Sequence, residues 1–215
     1  MIVEMHSHTS EHSSCSHVTA VDPVRRACEL GIETIVLTDH HYQWGQDELA
    51  DLHKQAGLPD TFHILAGQEV EAGGLGHALI YGAKGTIATR GMPLSQVRQE
   101  NPDAAIIWAH PYRDKRTPSP NRLLDPQLDG IEIFSSNYTV VEAARALQAW
   151  HKYKFTAIAG TDTHGLSYVG SYPTLFDHPF DSIQALVAEI KAGRCRPYTS
   201  GRSRSRAHRE PGSRR

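Results

Sequence analysis

The chain has 215 residues, with 22 Lys and Arg, 24 Asp and Glu, and 14 His, for a formal net charge of −2. The length suits one domain with a substantial core, and the hydrophobic (39%) and charged (21%) fractions are those of an ordinary globular protein. No apolar run approaches the ~18 residues needed to cross a bilayer. No basic-then-apolar leader precedes the first strand, and three cysteines fit neither a zinc ribbon nor a disulfide framework, so a cytoplasmic protein is expected.

The first apolar run, 2–6, ends in His6-Ser7-His8, and a loop with His12, Cys15 and His17 follows. Residues 22–31 read as a helix, with Asp22 as N-cap, Pro23 at the first position and Gly31 at the end. Strand 34–39 ends in Thr38-Asp39-His40-His41 and leads to helix 46–57. Strand 62–70 ends in Gly67-Gln68-Glu69, and strand 77–82 begins at His77. Helix 94–101 precedes strand 104–110, which ends in Ala109-His110-Pro111. Strand 130–135 (GIEIFS) leads to helix 140–153. Strand 155–162 ends in Thr161-Asp162 and runs on to Thr163-His164, and a last helix spans 181–193 with Asp181 as its N-cap.

The last fifteen residues, GRSRSRAHREPGSRR, carry six Arg and one Glu, a net +5 that leaves −7 on the body. Residues 1–199 are therefore expected to form the domain and 200–215 a disordered basic tail. That tail reads as a solvated extension rather than a nucleic-acid arm, and no membrane partner is expected. Strand and helix alternate along the body, which predicts a parallel sheet, closed or open. No G-x-G-x-x-G follows a strand, and there is no internal repeat.

Most histidines and acids that end apolar runs fall at C-terminal strand ends, where α/β proteins build their sites. Residues i and i+2 of a strand face the same way, so His6 and His8 converge, as do Asp162 and His164 if the backbone there is extended. Glu69 follows a buried run, where a lone carboxylate is costly unless paired or bound to metal. Imidazoles with carboxylates and no thiolate suit Zn, Mn or Fe. A single such residue is more often just hydrogen-bonded. That reading holds for His53, His63, His151, His178 and His208, but the ensemble points to a polynuclear metal site.

The order H-x-H (6–8), T-D-H (38–40), G-x-E (67–69), His77, A-H-P (109–111) and T-D-x-H (161–164) resembles the PHP (polymerase and histidinol phosphatase) family, from residue 1 to about 199. The resemblance implies a distorted (β/α)7 TIM-like barrel and two or three divalent ions at its C-terminal rim. It implies that His6, His8, Glu69 and Asp162 hold one metal, and that Glu69 bridges to a second on His77 and His110. A third would take His40, His164 and a ligand from the loop after His8. There this sequence departs from the commoner pattern, with Ser13 where many members have Asp. His12 is expected instead, with Cys15 as the alternative. No inserted domain is long enough to cover the site.

The activity implied is hydrolysis of a phosphate ester, a small phosphomonoester foremost, by water that the metals activate. Glu69 and Asp162 would be central to it, and Arg113 would bind phosphate. Thr38 and Asp39 would orient His40. Tyr112 and Asn137 are further rim residues, and His17 has the weakest claim. Three divalent ions would nearly offset the −7 body. The alternatives are an amidohydrolase, for which Lys84 and Lys115 are badly placed as the bridging lysine, and a non-catalytic metal- or nucleotide-binding module. Neither the substrate nor the oligomeric state is legible.

Overall fold

A computed structural model describes residues 1–198. The tail from 200, including His208, lies outside the described residues. In chain order the strands are β1 (Ile2–Ser7), β2 (Thr34–Leu37), β3 (His63–Gly73), β4 (Gly76–Tyr81), β5 (Met92–Pro93), β6 (Ala105–Trp108), β7 (Gly130–Phe134), β8 (Ala157–Ala159), β9 (Thr174–Phe176) and β10 (Cys195–Pro197). The helices are α1 (Val21–Glu29), α2 (Gln46–Ala56), α3 (Leu94–Glu100), α4 (Pro120–Leu123), α5 (Val140–Tyr153) and α6 (Ile183–Lys191).

All seven predicted strands and five predicted helices are present. The short β5, β9 and β10 carry too few apolar residues to register as runs. Two helix starts differ. α1 begins one residue before Asp22, and Glu11 accepts from the Ala20 N–H at 2.9 Å, so a distant carboxylate serves its first turn. Ser182, not Asp181, occupies the N-cap of α6. α5 carries a capping box in which Thr139 and Glu142 satisfy each other's backbone N–H groups.

The sheet runs β10-β9-β1-β2-β3-β4-β6-β7-β8 and curls into a nearly closed barrel in a single α/β domain. Beyond β8 the chain meets β1 again: the Asp162 N–H donates to His6 O at 2.8 Å and the His8 N–H to Thr163 O at 3.1 Å. β9 and β10 close the same side from below, each antiparallel to its neighbour.

The sheet is not wholly parallel. β3 and β4 form an antiparallel hairpin across Gly74 and Leu75, and β4 is also antiparallel to β6. Both Gly74 (φ +75°) and Gly76 (φ +97°) take backbone conformations that favour glycine. This hairpin explains how a histidine at the start of a strand reaches the rim. Running backward, β4 brings His77 level with the C-terminal half of β3, where it pairs with Glu71.

Three apolar clusters support the rim. Val3, Met5, Leu79, Ile107 and Ile158 pack with Leu186 and Ile190 of α6. Ile106, Ile131 and Ile133 pack under α3 and α5, and Ile35, Leu37 and Ile64 under α1 and α2. Each such side chain contributes about 1.5–3 kcal/mol on burial. These contacts fix the strand ends from which the polar residues project.

Candidate metal centre

β1 delivers the first two histidines through an irregularity. Its register against β2 shifts between Glu4 and Ser7, a bulge immediately beside His6. Bulges bend a strand and re-aim side chains. Val3 and Met5 enter the barrel core, and His6 and His8, of the opposite parity, also turn to the carboxylates. Their Nε2 atoms come to 3.1 Å of each other.

Glu69 lies at the centre, 1% exposed. Its Oε2 faces His8 Nε2 at 3.2 Å, His40 Nδ1 at 3.1 Å and His6 Nε2 at 3.5 Å. Its Oε1 faces His110 Nε2 at 2.9 Å and His77 Nδ1 at 3.0 Å. Asp162 completes the first set, its Oδ1 lying 3.2 Å from His8 Nε2 and 3.4 Å from His6 Nε2. Asn137 donates to the other oxygen, Oδ2.

Two of these residues sit in the left-handed backbone region, His110 at φ +30° and Asp162 at φ +52°. Non-glycine residues there are sparse and cluster at functional sites. The turn at Asp162 overrides the extended backbone expected for residues 162–164. His164 instead folds back, its Nδ1 lying 3.0 Å from the Asp162 carbonyl.

Three groups of ligand atoms result: His6, His8, Glu69 and Asp162; Glu69, His77 and His110; and His8, His40 and His164. Eight of the nine expected metal ligands are thus brought together. His12 is not. Its ring stacks on Tyr42, 3.5 Å between centroids, and meets the edge of Trp44 at 4.8 Å, so aromatic packing holds it elsewhere. Cys15 is exposed and in none of the groups. His17 is also exposed.

The loop position expected to supply a ligand is used differently. The Ser13 hydroxyl donates to Asp39 Oδ1 at 2.5 Å, accepts from the His40 N–H at 3.0 Å and lies 3.3 Å from His8 Nδ1. Asp39 also accepts from the Thr9 N–H, the Thr9 hydroxyl and Trp44 Nε1. Asp39 therefore acts on His8 and the His40 backbone through Ser13 rather than on the His40 ring. Thr38 bonds the backbone of Ser7.

The charges follow from this packing. Burial alone would push His6 and His8 down, but Asp162, Glu69 and, for His6, Glu132 hold both up, His8 at about 9. Burial would raise Glu69 and Asp162, yet the surrounding imidazoles hold both carboxyls well below their usual range. His40 is pushed down to about 4 and His164 is also lowered, each by burial first and then by neighbouring imidazoles. Both therefore present lone pairs at neutral pH.

Two tests on these residues agree with bound cations. His77 Nδ1 is buried without a hydrogen bond, its 3.0 Å approach to Glu69 Oε1 not being aligned as one. Nitrogen and carboxylate donors converge here with no thiolate among them, a set suited to Zn, Mn or Fe.

Beside the centre opens a cavity of about 740 Å³ lined by Arg113, Ser136, Asn137, Asp162, His164 and Tyr168, among others. Arg113 projects from a sharp loop in which Asp114 and Lys115 are both left-handed, at φ +59° and +61°. Tyr112 turns away into the core against Tyr138. The residue missed in the sequence is Glu132. It is fully buried, with Oε1 2.9 Å from His6 Nδ1 and Oε2 accepting from the His110 N–H at 2.8 Å. The signal for it was an acid in the middle of the apolar strand GIEIF.

Residues 142–195 match the PHP-associated family, PHP_C. No curated protein matches the chain. The fold is shared with PsfC from Pseudomonas syringae (16% identity, 93% of this chain and 91% of that one, TM-score 0.66). It is shared with an amidohydrolase from Chromobacterium violaceum that carries bound sulfate (16%, 87% and 96%, TM-score 0.60). A structure described as a candidate metal-dependent phosphoesterase from Bifidobacterium adolescentis also shares it (17%, 76% and 87%, TM-score 0.55).

Proposed function

We propose, from the premise that this chain is a PHP-family domain, that it is a metal-dependent hydrolase of phosphate esters, with small phosphomonoesters as its substrate class. The observation that carries this reading is the division of Glu69: one oxygen serves His6, His8 and His40, the other His77 and His110, beside a cavity that contains Arg113. When bound, divalent cations supply Lewis acidity to phosphoryl oxygens and acidify water toward neutral pH.

The protein's own residues supply the rest. Glu69 belongs to two of the groups and would be the ligand they share. Asp162 gives one oxygen to the first position while Asn137 holds the other. Arg113, 29% exposed and paired among the described residues with Asp114 at 3.7 Å, is available for a phosphate oxygen. The cavity walls orient the ester beside Asp162 and His164.

Two cations are held firmly under this reading, on the two groups that include carboxylates. The group of His8, His40 and His164 has no carboxylate and shares His8 with the first, so a third cation there binds more weakly. An amidohydrolase would call for a bridging lysine, and Lys84 and Lys115 are both exposed rather than turned into the buried centre. A screen of phosphomonoesters, phosphodiesters and amides with Mn or Zn supplied tests the reading. Phosphate release from monoesters supports it; cleavage confined to amides overturns it.

A further inference from the structure

Glu132 stands in β7, where Ile131 and Ile133 pack outward under α5. Strand alternation sends the residue between them into the barrel. The carboxylate there is 0% exposed, and such a group is costly unless donors meet it. It has two kinds of donor. Oε1 lies 2.9 Å from His6 Nδ1, a ligand of the first group; Oε2 accepts from the backbone N–H of His110, a ligand of the second, at 2.8 Å. The space is reserved by Gly160, where a Cβ would lie 2.5 Å from Glu132 Oε1 and 2.5 Å from His6 Cβ.

We infer that Glu132 is a positioning residue for both carboxylate-containing metal positions at once. Through Oε1 it would hold a proton of His6 on Nδ1, so that Nε2, which faces Glu69 and Asp162, is the nitrogen a bound cation would take in exchange for its proton. Through Oε2 it anchors the backbone of His110 in its left-handed conformation, which aims the His110 ring at Glu69 Oε1. Glu69 joins the two positions through its own two oxygens, and Glu132 joins them through His6 Nδ1 and the His110 backbone. The inference rests on the reading that these groups hold cations.

The test titrates metal-stripped full-length protein with Mn²⁺ or Zn²⁺ alone and counts bound ions by equilibrium dialysis. Wild type should hold two firmly. Glu132→Gln, nearly isosteric, should weaken both positions by about 10- to 100-fold, whereas His77→Ala should weaken only the second. Wild-type affinity at either position in a folded Glu132→Gln protein overturns the inference. Failure of wild type to bind any cation would instead sink the metal reading beneath it. Should Glu132→Gln not fold, the Zn-loaded wild type decides by ¹⁵N-histidine NMR. His6 as the Nδ1–H tautomer supports the inference, and His6 as the Nε2–H tautomer overturns it.

Discussion

Glu69 meets His110 through a single carboxylate oxygen, Oε1, at 2.9 Å, and so leaves Oε2 free to face His6, His8 and His40. One side chain thereby belongs to two groups of donors. Removing it should empty both, so Glu69→Gln should lose firmly bound metal and at least about 100-fold in kcat/KM, more than an outer-sphere change costs. Metal analysis beside a phosphate-release assay checks this.

His12 provides the contrast. Its ring packs on Tyr42 and Trp44, outside the three groups. His12→Ala should lower stability by about 0.5–1.5 kcal/mol through the lost aromatic contact and leave the two firm metal positions filled. His40→Ala should instead reduce binding of the weaker third ion. Denaturant melts and metal counts on the two variants separate these effects; loss of both firm ions in His12→Ala would contradict the placement.

Arg113 is expected to act on substrate alone. Arg113→Ala should raise KM for a phosphomonoester with metal content unchanged. Arg113→Lys should recover only part of the loss, because an ammonium cannot replace the planar fork of a guanidinium.

The three cysteines are free, and burial pushes the Cys195 thiol up to about 12. A thiol whose folded pKa is raised contributes stability that is full below its unfolded value, about 8.5, and is lost as pH rises through the folded one. Alkylation at pH 8 should therefore label exposed Cys15 in the native protein and reach Cys195 only on unfolding. Mass spectrometry of labelled peptides checks this.

The elements and most of the centre were legible in the sequence because both follow local rules. Apolar runs of strand length carried β1 to β4 and β6 to β8, and ligands such as His8, Glu69 and Asp162 stand at their ends. What was not legible depends on contacts between distant segments. The β3–β4 reversal rests on a glycine turn without its own apolar signature. The displacement of His12 depends on Tyr42 and Trp44, thirty residues on. Glu132 is one acid in an apolar strand, and only the fold brings it to His6 and His110. No helix among the described residues is long and apolar enough to cross a membrane, in line with the hydropathy.

The most direct test strips the protein of metal with a chelator, then restores Mn²⁺ or Zn²⁺ stepwise while phosphate release from a phosphomonoester is followed. Activity should be absent in the stripped protein and rise in step with occupancy of the two carboxylate-containing positions. Full activity in metal-free protein, or two ions bound with no phosphoester cleaved, would contradict the account.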